Sequence, residues 1–332
     1  MRIPDVIHAG FPKCASTFLQ SYFDQHADVF MVFKGEFLSP FEHPEGSGPN
    51  ELEYLARFES AGKDQRTIES DEHILLPLRH PVLGIRAMTR ESTREVFKRM
   101  AEFAPQAKLL LVIRNQTDMI ISAYSQYVLA GGTMRVNEFA SELLQSSRDG
   151  QNHLCMFFDE VCELANSHYE NRVLVLLLED FRRDQDGQLA RLTQFLKIPD
   201  HRFRDTFKAR RIGLSANAMR LTRRLNQFLA RGERGPVKQR YWIPQSAYRF
   251  LCNILRVADY YVLSHFFRAS KRSLLDHPTQ QLIQQTFEQD NSRLADRLSR
   301  NLETLGYACR ADKVTTPLAT PPADRKSAAG SH

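Results

Sequence analysis

The chain has 332 residues, 42% hydrophobic and 25% charged, with 45 Lys and Arg against 39 Asp and Glu for a net charge of +6. Those figures fit a soluble globular chain of one large α/β domain or two small ones. No run of about 18 apolar residues occurs, so no membrane-spanning helix is expected, and the N-terminus lacks the basic-then-apolar pattern of a secretory signal, which points to a cytoplasmic protein.

The first stretch sets the pattern. Ile3 to Ala9 is apolar enough for a central strand, ended by Gly10 and Pro12. Ser16 and Thr17 then read as an N-cap opening an amphipathic helix with Phe18, Leu19, Tyr22 and Phe23 at helical spacing. A loop delivered onto a helix N-terminus offers unpaired backbone N–H groups and the positive end of the dipole, an anion site to which Lys13 adds a full charge. Val29 to Phe33 is a second strand candidate, and Glu36 follows it in a polar notch among hydrophobic residues. The Pro/Gly/Ser-rich Glu42–Asn50 is a loop, with a short helix through Leu52, Leu55, Ala56 and Phe58 behind it.

Thr67–Ser70 is a third strand, followed by an irregular segment holding Pro77, Pro81 and Gly84. Val96, Phe97, Met100 and Phe103 give a helix ended by Pro105. The continuous apolar run Lys108–Arg114 is a buried parallel strand, and Asn115 to Asp118 caps a helix through Met119, Ile120, Ala123, Tyr124 and Tyr127. Val173–Leu178 is a further strand leading to Glu179-Asp180-Phe181, then a helix carrying Leu189, Leu192, Phe195 and Leu196. Strands alternating with helices predict a doubly wound parallel sheet, whose ligands bind at the carboxyl ends of strands. Lys13, Arg114 and Glu179 lie at such ends.

The C-terminal third is expected to be helical, with Leu221, Leu225, Phe228 and Leu229 on one face and Leu282, Ile283, Phe287, Leu294, Leu298 and Leu302 on another. Tyr241-Trp242 and the segment from Tyr248 to Phe267 are candidates to touch a ligand, although such apolar spacing more often means core. Gly306 stands where a helix C-terminal glycine belongs. From Ala308 onward Pro, Thr, Ala and Ser dominate, so the reading is one domain over 1–307 and a disordered tail over 308–332. The five cysteines (Cys14, Cys155, Cys162, Cys252 and Cys309) have no paired metal-ligand spacing, and no metal is expected. Net charge and a pI near 9.1 favour a polyanionic partner, but no nucleic-acid-binding motif accompanies the charge.

Gly10-Phe11-Pro12-Lys13-Cys14-Ala15-Ser16-Thr17 lacks the second glycine before Lys-Ser/Thr that nucleotide triphosphatases need. It resembles the P-loop-like phosphate-binding loop that grips the 5′-phosphosulfate of PAPS (3′-phosphoadenosine 5′-phosphosulfate) in the sulfotransferase family. The resemblance implies contacts to PAPS from Lys13, Cys14, Ala15, Ser16 and Thr17. Arg114 and Ser122 match in identity and separation the family's Arg and Ser that bind the 3′-phosphate. Phe207 to Ser215 falls where the family has a basic loop over that phosphate, which marks Arg210 and Arg211. Leu178-Glu179-Asp180-Phe181 with Phe195-Leu196-Lys197-Ile198, and Phe287 to Leu294 with Leu305-Gly306-Tyr307, resemble two further family passages, so the likeness runs over residues 3–307. Gln116 departs from it, where the family usually has proline.

The activity so implied is transfer of the sulfuryl group of PAPS to an acceptor hydroxyl, with Lys13 stabilising charge on the leaving oxygen. Sulfate carries less charge than a terminal phosphate, so no metal is obligatory. For the base, Phe33 to Phe41 resembles the segment carrying the catalytic glutamate of heparan-type glycan sulfotransferases, which marks Glu36 and a glycan or glycolipid acceptor. Phe33 and Phe37 beside that carboxylate would raise its pKa. Glu69, Glu72 and His73 are rivals. His73 lies near the base of small-molecule sulfotransferases, without their Lys-Thr-His spacing, and would imply a small-molecule or lipid hydroxyl. Two other classes stay open: a P-loop kinase-like enzyme and a polyanion-binding module.

Overall fold

The computed structural model describes residues 2–33, 51–72, 74–75, 90–148, 156–201, 203, 214–229, 245–259, 261 and 270–310. Among these, five strands form one parallel sheet: β1 (Val6–His8), β2 (Val29–Phe33), β3 (Arg66–Ser70), β4 (Lys108–Ile113) and β5 (Val173–Leu177), in the order β2-β3-β1-β4-β5. The helices are α1 (Ser16–Gln25), α2 (Glu51–Ala56), α3 (Arg90–Phe103), α4 (Gln116–Leu129), α5 (Val136–Arg148), α6 (Phe158–Tyr169), α7 (Leu178–Arg183), α8 (Gln185–Leu196), α9 (Ala216–Leu229), α10 (Gln245–Ala258) and α11 (His277–Leu298).

The doubly wound expectation holds. Leu109 to Ile113 in β4 is buried at every position, because helices cover both faces and an alternating pattern would leave one face wet. β1 sits at the sheet's centre, between β3 and β4, so the chain turns to opposite sides of it and a crevice opens at its carboxyl end. The strand expected to reach Ala9 ends at His8. Its pairing continues without strand geometry: Ala9 N–H donates to the Leu110 carbonyl at 3.2 Å and Phe11 N–H to that of Val112 at 3.2 Å. The loop that follows is thereby fastened to β4.

The described residues of the C-terminal third are mainly helical, and buried polar contacts hold them to the sheet domain. Asp159, at the start of α6, takes Arg293 at 3.1 Å and Arg297 at 2.6 Å from α11. Asp290 accepts the N–H groups of Asp159 and Glu160 at 3.1 and 3.3 Å. Ala308 to Arg310 pack on α11 through Asn291 Nδ2 to the Ala308 carbonyl at 2.9 Å and Arg310 N–H to Ser292 at 3.0 Å. The tail expected from 308 therefore does not begin there, and 311–332 lies outside the described residues. On the expected apolar face of α9, Leu221 and Phe228 are exposed.

Candidate functional site

The loop from Ala9 to Ala15 carries its chemistry in its backbone. Lys13 and Ala15 are both left-handed, at φ 68° and 71°, a conformation L-residues avoid unless the surroundings impose it. Alternation of this kind turns successive N–H groups inward into an anion nest. Ala15, with no capping oxygen, is the N-cap of α1; the expected Ser16 cap is not made, because the Ser16 hydroxyl donates to Glu72 Oε2 instead. Among the described residues no group accepts the N–H of Ala15, Ser16 or Thr17. The positive end of α1 is thus left open, with Thr17 exposed beside it. Cys14 does not join them. Its N–H donates to the Phe11 carbonyl at 3.2 Å, and burial pushes its thiol well above the ordinary range despite the Arg114 charge. Cys14 is buried and its backbone holds the loop's shape.

Arg114 leaves the end of β4 and closes the other side. Its Nη1 donates to the Lys13 carbonyl at 3.2 Å, tying the two expected halves of the site together. Its Nε is buried and has no partner among the described residues. Burial, ahead of neighbouring charges, pulls the guanidinium below its usual value. A buried charged donor left open is costly unless an anion completes it. The turn behind Arg114 is braced: Glu179, in the first turn of α7, accepts Asn115 N–H at 3.0 Å and the Tyr307 hydroxyl at 3.3 Å. Asn115 caps α4 by accepting Asp118 N–H at 3.2 Å and donates to the Gly306 carbonyl. Burial raises the Glu179 pKa more than these bonds lower it. Glu179 thus supports the site from behind. Ser122 is half-buried on α4, with no partner recorded among the described residues.

A 3-10 turn, Lys271–Leu274, brings cations that the sequence reading did not single out. Lys271 is exposed in surface area yet crowded: desolvation and then Arg114 hold its ammonium below the ordinary lysine range, with Arg182 also contributing. Arg272 Nε bonds Asp118 Oδ1 at 2.9 Å, which pins the turn to the start of α4. The only sequence signal was a basic pair ahead of the closing helix, in a stretch without periodicity.

Of the expected bases, Glu72 is half-buried at the phosphate loop through its Ser16 contact. Glu69 is fully buried on β3, where its Oε2 accepts the Tyr54 hydroxyl, and burial raises its pKa to about 8. Glu36, His73, Arg210 and Arg211 lie outside the described residues.

The family profile described as the sulfotransferase domain matches residues 3–231, more than half of the chain. A crystal structure of a sulfotransferase from Alicyclobacillus acidocaldarius is similar over 92% of this chain and 100% of that one, with a TM-score of 0.57 at 16% identity, which shows a shared fold. A crystal structure of mouse sulfotransferase SULT7A1 complexed with PAP matches 60% of each chain at 16% identity with a TM-score of 0.36, too loose a likeness to carry an argument. No curated protein matches the chain.

Proposed function

The chain belongs to the sulfotransferase family, and from that premise we propose that it moves the sulfuryl group of PAPS to a carbohydrate hydroxyl, with a carboxylate as base. The observation that carries the site assignment is that, among the described residues, the buried Nε of Arg114 has no partner and the N–H groups of Ala15, Ser16 and Thr17 stay open. A ligand with two phosphate-bearing ends fits both. In this reading the N–H nest and Lys13 hold the phosphosulfate end, while Arg114 and Ser122, joined by Arg210, Arg211 and Lys271, hold the 3′-phosphate. PAPS, when bound, supplies an activated sulfuryl group on a bisphosphate leaving group. Lys13 then has two tasks, to orient that end and to stabilise the charge that develops as the bisphosphate departs. Guanidinium suits the phosphate end because its charge is permanent and its planar fork matches phosphate oxygens.

Glu36 is the proposed base, on the strength of the Phe33–Phe41 pattern, and its task is to take the acceptor's proton as the new S–O bond forms. A second reading keeps the reaction and changes the base to Glu72. What favours it is the Ser16 hydroxyl on its carboxylate, a contact with the phosphate loop itself. The deciding experiment incubates the protein with PAPS carrying labelled sulfur and panels of glycans, glycolipids and phenols. Label on a sugar hydroxyl is the expected result. Label confined to phenols overturns the carbohydrate acceptor, and the absence of both transfer and saturable PAPS binding overturns the reading as a whole.

A further inference from the structure

The outward face of α10 is apolar where a solvated helix would be polar. Phe250, Ile254 and Val257 are 67%, 48% and 57% exposed, and Tyr261, just past the helix end, is 68% exposed. Spacings of four and three residues place Phe250, Ile254 and Val257 within about 60° of one another around the helix axis. They form one ridge. The opposite side is the packed one: Cys252 is buried, and buried Asp259 accepts the Ser215 N–H at 2.6 Å as well as its hydroxyl. Helical apolar spacing, which predicted core here, therefore belongs in part to a surface. On α9, which packs on α10, Leu221 and Phe228 lie one heptad apart and are 43% and 48% exposed.

Charge says what such a ridge suits. α9 carries the exposed Arg220 and Arg224, α10 carries the exposed Arg256, and neither helix contains an Asp or Glu. Apolar side chains among arginines, with no carboxylate, are the complement of anionic lipid headgroups. Apolar groups enter the boundary between headgroups and acyl chains, while guanidinium groups meet phosphates. A second copy of the chain seated on the same face by two-fold symmetry would set arginines against arginines. No helix among the described residues is long and apolar enough to cross a membrane, so contact of this kind would be interfacial.

We propose that the α9–α10 pair docks this protein on an anionic lipid surface, with the Phe250, Ile254 and Val257 ridge and Tyr261 in the headgroup boundary. α9 also packs against α4 and the Lys271–Leu274 turn, so docking would hold the candidate site next to the bilayer. The proposal goes beyond the sulfotransferase reading and stands without it, because lipid binding needs no PAPS.

The test is co-sedimentation of the full chain with vesicles of phosphatidylcholine alone and with about 30% phosphatidylglycerol. Binding to the anionic vesicles is expected to be at least about tenfold tighter and to weaken as salt is raised. The double variant Ile254→Glu/Val257→Glu, at two exposed positions, is expected to lose about tenfold or more of that binding, with Tm and PAPS affinity unchanged. If that variant fails to fold, Phe250→Trp reads the same contact, through quenching of its emission by brominated lipid. Equal binding to both vesicles, equal binding by the double variant, or no more quenching in Phe250→Trp than in the wild type with its Trp242 overturns the proposal. So does a concentration-dependent dimer that forms without vesicle binding and is abolished by the same double variant.

Discussion

The two ends of the sheet are both charged, and they treat charge in opposite ways. At the amino end, Asp5 Oδ2 accepts the Thr67 N–H at 2.8 Å and its hydroxyl at 2.9 Å, and Asp5 pairs with Arg66 at 3.6 Å. Arg2 donates to the carbonyls of Ala61, Gly62 and Gln65, and Lys108 to that of Phe195. An open cleft of about 370 Å³ lies there, lined in part by Arg2, Asp5, Lys63, Arg66 and Lys197. At the carboxyl end, Arg114 Nε is buried without a partner, and three N–H groups at the start of α1 are open among the described residues. In that cleft the chain itself engages Arg2, Asp5 and Arg66. Donors left open among the described residues, one of them buried, mark the carboxyl end as the candidate site.

The strongest way to break this contrast is to remove the chemistry from the carboxyl end while leaving binding in place. Glu36→Gln keeps shape and loses the proton acceptor, so turnover is expected to fall about 10²–10⁴-fold with PAPS affinity close to wild type. If Glu36→Gln remains active while Glu72→Gln is dead and still binds PAPS, the base is Glu72. Next in size, Lys13→Ala is expected to lower kcat about 10²–10³-fold, whereas Lys197→Ala at the amino end leaves it unchanged. Equal effects of the two lysines in a steady-state assay would erase the distinction between the ends. Arg114→Ala then sharpens it. Calorimetry is expected to show PAPS and its bisphosphate product binding about 10–100-fold more weakly, with a smaller loss for an analogue lacking the 3′-phosphate. Equal losses for both ligands would remove Arg114 from that role.

How legible each part was follows from the range of the forces involved. β2 spans Val29–Phe33 as its β-prone run predicts, and β4 ends one residue before Arg114, because local propensity and burial agree there. α5 was not foreseen although Val136, Phe139, Ala140, Leu143 and Leu144 are buried at helical spacing, so its signal was present in the sequence. The Ser16 cap was misread for a different reason. Its competing acceptor, Glu72, lies 56 residues away, and no local pattern reports it. Lys271 joins Arg114 across 157 positions of chain, from 114 to 271, through tertiary packing alone. The ridge on α10 shows the same limit from the other side: spacing identifies a helix face but not what covers it.

The smallest effect concerns β3, midway between the two ends, and it separates stability from catalysis. Glu69 is fully buried, its Oε1 has no partner among the described residues, and its Oε2 accepts the Tyr54 hydroxyl. Burial raises its pKa from 4.5 to about 8. Between those values the folded chain holds a proton that the unfolded chain releases, so stability falls as pH rises, by up to about 1.4 kcal/mol per pH unit. His8 acts in the opposite sense. Burial lowers its pKa from 6.5 to about 4, so its contribution is lost as pH falls through that window. Above pH 6.5 His8 becomes neutral in both states while Glu69 still holds its proton in the fold, which makes pH 6.5–8 the window to measure. Glu69→Gln mimics the protonated carboxyl and cannot titrate. The variant's Tm is therefore expected to change little across that window while the wild-type Tm drops. At pH 8 the variant should be the more stable of the two, with turnover preserved because Glu69 faces Tyr54 and not the phosphate loop. Parallel Tm curves would show that Glu69 is already ionised in the fold, and loss of turnover with PAPS binding intact would return it to the list of bases.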